Sequence, residues 1–157
     1  MIIEVLASFI ASFAFGVVFN IRGKKLFFSA LCGALSWFVY KILLRFGASD
    51  TAALFFASIV LSVYSEIFAR ILKTPVTTFV IVALIPLVPG GGMYYTMFEA
   101  IKGDVMKSLE IGIKTMVSAG ALAIGVILVS TITKTLTRYN LNKKLKEKTF
   151  KSKNKNR

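Results

Sequence analysis

The sequence predicts an all-α membrane protein, a bundle of about five transmembrane helices whose fourth is broken by proline and glycine. Three observations lead there. The 157 residues are 56% hydrophobic and only 17% charged, where soluble domains average about 45–50% and about 25%. Apolar runs of about 20 residues, the length that crosses a bilayer, recur at residues 2–19, 26–46, 51–72, 76–98 and 109–133. The net charge of +13 is segregated, with ten basic residues and one acid, Glu147, in residues 134–157. Residues 1–133 therefore read as a transmembrane helical domain and 134–157 as a basic cytoplasmic tail, with no room for a soluble catalytic domain.

The first run is a span rather than a cleaved leader. Glu4 is its only charge, and the large Phe13 and Phe15 precede Gly16 where a leader would carry small residues. The connections then alternate. Arg22, Lys24 and Lys25 crowd the first, and Arg70 and Lys73 flank the third. The second has Gly47 and Asp50 after Arg45, and the fourth balances Glu99 and Asp104 against Lys102 and Lys107. Short loops rich in Lys and Arg stay on the cytoplasmic side. An outside N-terminus, a cytoplasmic C-terminus and an odd number of spans satisfy every loop, in a multi-pass protein of the plasma (inner) membrane. Asn20 caps a helix end.

Small residues recur at four-residue spacing: Ser8, Ser12 and Gly16; Ser29 and Gly33; Ser58 and Ser62; Ala121 and Gly125. Such stripes let helix backbones approach closely where lipid removes the hydrophobic drive for association. The tail's cations, directly after a span end, are placed to attract anionic lipid headgroups at about 1 kcal/mol each. Docking of a protein partner is the second reading of the tail. Nucleic acid is not expected, and self-assembly into a homo-oligomer stays open.

The segment from Ile85 to Met97 holds two prolines and three consecutive glycines inside an uncharged run. Each proline deletes a backbone donor and clashes one turn back, and glycine costs about 1 kcal/mol against alanine within a helix. The helix is expected to break. Freed backbone groups at membrane depth need protein or a water-filled cavity, and broken spans of this kind hold substrates in transporters, the N-terminus of a half-helix facing an anionic group. On that reading Pro86 and Pro89 hold the break, Gly90, Gly91 and Gly92 offer amides to a carboxylate, and Tyr94 and Thr96 orient the substrate. The alternative is a simple kink or an early span end.

Ser58, Ser62, Glu66 and Arg70 fall at four-residue steps on one face of the third run, with Ser65 beside them. Glu66 and Arg70 are either a coupling pair on a transport pathway or an intrahelical ion pair near the cytoplasmic end. Glu4, Lys41, Arg45, Glu110 and Lys114 lie toward the predicted outer side, as interfacial anchors or beside an anion route. With no histidine, one cysteine, no clustered carboxylates and no nucleophile beside a base, the chain offers no enzyme centre, metal site or cofactor site. Cys32 reads as a small buried hydrophobe.

These residues resemble the smaller subunit of the two-component threonine/serine exporter family. The likeness rests on Phe19-Asn20 before a basic loop, Ser65-Glu66-Ile67-Phe68-Ala69-Arg70, Lys73-Thr74-Pro75, and above all Ile85-Pro86-Leu87-Val88-Pro89-Gly90-Gly91-Gly92-Met93-Tyr94-Tyr95-Thr96-Met97. It implies a polytopic inner-membrane protein that works with a larger multi-span partner, or its fused equivalent, to export small carboxylates: threonine and serine, or a dicarboxylate such as succinate. A non-transporting accessory subunit is the alternative role. Two five-span units would sit in opposite orientations, an inverted repeat with substrate where they meet, and the proton gradient would drive export.

Overall fold

Four of the helices end at a residue that takes a left-handed backbone. In the computed structural model, which describes the backbone of residues 1–155 and the side chains of residues 1–139, α1 spans Ile2–Val18, α2 Lys24–Arg45, α3 Asp50–Ile71, α4 Thr77–Leu84, α5 Gly90–Lys102 and α6 Val105–Lys155. A 3-10 turn, Ile85–Leu87, follows α4, and no strand occurs among the described residues. Asn20, Gly47, Lys73 and Gly103 take positive φ. Beyond each, the next amide reaches back to close the helix: Ile21 N to Gly16 O, Ala48 N to Leu43 O, Thr74 N to Ala69 O and Asp104 N to Glu99 O, at 2.9–3.1 Å. Asn20 is thus a C-terminal cap, as expected. α3 also has an N-cap, the Ser49 hydroxyl accepting from Ala52 N at 3.3 Å.

α2, α3 and α6 are each long and apolar enough to cross a membrane, and α4 with α5 makes a fourth such unit, bent by 49° at the break. α1, at 17 residues, is shorter. Its length of about 25 Å lies at the low end for a span. The expected broken fourth helix is present, while the number of crossings stands at three to four by length and composition against the five expected. The basic tail begins inside α6, which runs through residue 134 without interruption. Side chains from residue 140 onward, and with them most of the predicted lipid-facing cations, lie outside the described residues.

The bundle packs through its small residues, because close backbone approach is what holds helices together in lipid. Ser8, Ser12 and Gly16 are the buried residues of α1, and the Ser8 hydroxyl donates to Gly33 O of α2 at 3.1 Å. A methyl group added to Gly33 would collide with Ser12. On the other side of the bundle, Gly125 of α6 sits against Ser58 and Phe55 O of α3. Between these seams lies a core of Cys32, Leu54, Ala57, Leu61, Ala83, Leu87 and Leu122, so α2, α3, α4 and α6 share one interior. Cys32 is fully buried, as expected, with its thiol 3.6 Å from Leu61 O.

Three contacts set the register of α6 on α3. Ser118 meets Asp50 at 3.3 Å, Gly125 meets Ser58, and Thr137 meets Arg70 at 2.7 Å. Residues 118–137 therefore lie along the whole of α3, parallel to it. The 13 residues before them, 105–117, run on past the start of α3 for about 20 Å. α5 folds back along this overhang and packs extensively against α6 alone.

Candidate functional site

The break forms as the prolines dictate. α4 stops at Leu84, Pro86 sits in the first positions of the 3-10 turn, and Val88 turns extended at φ −61°, ψ 129°. Pro89, at φ −75°, ψ 56°, then caps α5. Gly90 donates to Val88 O at 2.7 Å, and Met93 to Pro89 O at 3.2 Å. The amides of Gly91 and Gly92 have no hydrogen-bond partner among the described residues. They form the open first turn of a 13-residue helix, where the partial positive charge of the macrodipole gathers.

The predicted site residues divide around this break. Pro89 and Thr96 line a groove of about 470 Å³ between α5 and α6, with Val88, Met93, Met97, Ser108, Gly112, Thr115 and Met116. Pro86 instead lines a cleft on the other side of the chain with Glu4, Ser8 and Trp37. Space is open around Gly90 and Gly91, whereas a methyl group on Gly92 would strike Thr115. Tyr94 does not face the groove: it is 63% exposed, stacked on Phe98 at 5.9 Å and edge-on to Tyr95. Thr96 does face it, but its hydroxyl donates to Gly92 O at 2.7 Å and its methyl packs on Gly112.

Sequence alone did not reveal how the hairpin of α5 and α6 is stitched. Gly92 packs against Thr115 and Gly112 against Thr96, so each helix offers a glycine to the other's threonine. Ser108 donates to Thr96 O at 2.8 Å and Thr115 to Ile111 O at 2.7 Å. Every hydroxyl in the groove has thus committed its proton to a backbone carbonyl. The amides of Gly91 and Gly92, which do not line the groove, are the donors left unpaired at this end of α5. Glu99, read from sequence as a loop charge, is 8% exposed and pairs with Lys107 at 3.1 Å across the Gly103 turn. The signal was available in two opposite charges flanking a helix-ending glycine.

Glu66 and Arg70 lie elsewhere. Thr137, which Arg70 contacts, is 18 residues along α6 from Ala119, which borders Pro89. That places the pair about 27 Å from the break. Ser58, Ser62, Ser65 and Glu66 are all buried, and Arg70 is exposed with its Nη2 3.7 Å from Glu66 Oε2. The charges near the other end also resolve into pairs, Glu4 with Lys41 at 2.9 Å and Glu110 with Lys114 at 2.6 Å. No solved structure matches the chain. A family model described as "Threonine/Serine exporter, ThrE" matches residues 4–132.

Proposed function

The chain belongs to the threonine/serine exporter family, a family of membrane transporters, and from that premise we propose that it is the smaller of two subunits of a secondary exporter of threonine and serine. The helix break carries this reading. Gly91 and Gly92 present unpaired amides at the positive end of α5, and a carboxylate is the ligand that such an end favours. Gly90 contributes shape rather than a donor, its amide being bonded to Val88 O. Pro86 and Pro89 keep the turn from closing into helix. Thr96 forms the groove wall, while Tyr94 lies outside the groove.

The larger partner supplies the facing wall. An α5 that leans on α6 alone, with Met93, Tyr95, Met97 and Ile101 exposed, supports a binding surface for it on the hairpin. The N-terminus lies outside and the basic tail in the cytoplasm, with α1 as a further span, so that α5 and the start of α6 lie toward the outer face. Glu66 couples export to the proton gradient, Arg70 holding it when charged. The test is growth under a load of threonine-containing peptide, with intracellular threonine and serine measured in cells lacking this chain, lacking the partner, or lacking both. Each single loss should raise both pools several-fold. Unchanged pools in all three strains overturn the reading.

A further inference from the structure

Pro86, in the break, also borders a second cleft, separate from the groove between α5 and α6. A cleft of about 300 Å³ is lined by Glu4, Ala7, Ser8, Ala11, Trp37 and Pro86. Glu4 Oε1 meets Lys41 Nζ at 2.9 Å between α1 and α2, and the Met1 amine stands 3.5 Å from Glu4 Oε2. The Lys41 ammonium lies 5.7 Å from the centre of the Trp37 ring. The indole Nε1 of Trp37 is buried without a hydrogen-bond partner. A buried donor left unpaired costs about 1–3 kcal/mol, and Trp37 Nε1 is one of five buried side-chain polar atoms without a partner among the described residues. Pro86 closes the cleft with a ring that has no N–H to offer a ligand.

We propose that this cleft binds a free α-amino acid as its zwitterion. The ligand ammonium pairs with Glu4, and its carboxylate with Lys41 and the Trp37 N–H. The two charges of such a ligand sit one carbon apart, which suits a carboxylate and an ammonium already in contact, so the ligand intercalates into an existing ion pair instead of creating new buried charge. A lone carboxylate or a lone amine satisfies one half of the pair and strands the other. The ligand class rests on the exporter reading above; the cleft and its unpaired donor do not. Pro86 lines this cleft and Pro89 the groove between α5 and α6, so the two border one break.

Trp37 is the single tryptophan of the chain, so its emission reports this cleft directly. The full chain, purified in lipid nanodiscs, is titrated with L-threonine, N-acetyl-L-threonine and L-threonine amide. A saturable emission change with threonine, at least about tenfold weaker for both blocked forms, is expected. Lys41→Met should weaken the threonine response about tenfold, Lys41→Arg should retain it, and Lys114→Met, at the exposed pair, should leave it unchanged. The blocked ligands test the unaltered protein, so a misfolded variant does not decide the outcome. Equal responses from all three ligands, or none from threonine, overturn the site. If threonine export persists while Trp37 stays silent, the site fails and the exporter reading stands. If binding is seen without export, the reverse holds.

Discussion

Arg70 of α3 donates from Nη2 to Thr137 Oγ1 of α6 at 2.7 Å, while the same nitrogen stands 3.7 Å from Glu66 Oε2. One guanidinium thus ties two helices together and faces the buried carboxylate assigned to coupling. Arg70 is 56% exposed, so solvent screens the pair and its contribution to stability is at most about 1 kcal/mol. Thr137→Val should therefore cost little in thermal unfolding. Glu66→Gln should lower uphill export in proteoliposomes by about tenfold or more, with downhill exchange retained. A parallel fall in both would make Glu66 structural.

The break separates packing from binding at adjacent glycines. Open space surrounds Gly91, whereas Gly92 abuts Thr115. Gly91→Ala should be active and up to about 1 kcal/mol more stable, since alanine favours the helix. Gly91→Leu should fold and assemble normally yet lose most export, because its side chain fills the approach to the two amides. Gly92→Val should instead lower stability by about 1–3 kcal/mol through the clash. Detergent melting curves beside uptake into inverted vesicles distinguish the three, and wild-type export by folded Gly91→Leu would remove the carboxylate site from the break.

Within α6 the same contrast tests the helix seam. Gly125 meets Ser58 and the Phe55 carbonyl, and Gly120 meets nothing within 4 Å. Gly125→Ala should destabilise by about 1–3 kcal/mol by forcing α6 off α3, while Gly120→Ala gains up to about 1 kcal/mol. Both are read from unfolding midpoints in one detergent. Equal shifts would show that the seam tolerates the extra volume.

Lys73 holds a left-handed backbone at φ 49°, a conformation that costs a residue with a Cβ about 1–2 kcal/mol. Lys73→Gly should raise stability by about 1 kcal/mol and Lys73→Val should lower it, as followed by thermal inactivation. Export under the glycine variant should match that of the unaltered chain.

The apolar runs and their punctuation made most of the fold legible. The stripe Ser8, Ser12, Gly16 became the buried face of α1, and the prolines broke the fourth run where their missing amides required it. The register was not legible. Periodicity says which face of a helix is small, not which level of a neighbour it meets, so the overhang of α5 and the start of α6 had no sequence signal. The site was half legible for the same reason. Gly91 and Gly92 expose amides, but whether Thr96 faces a ligand or Gly112 depends on the distance between α5 and α6. Likewise Glu4 and Lys41, on different helices, stood as separate charges until the fold placed them 2.9 Å apart.

α6 is one uninterrupted rod of 51 residues, and its tightest seat on the bundle is Gly125 against Ser58. Any tilt of α6 about that contact would move its two arms in opposite directions. Val105 lies 20 residues to one side, about 30 Å away, so a 10° tilt about the pivot swings the α5 end by about 5 Å. The same tilt carries Thr137, on the opposite arm, the other way and strains the Arg70 bond. One helix thus carries both the surface that α5 packs on and the hydroxyl that Arg70 holds.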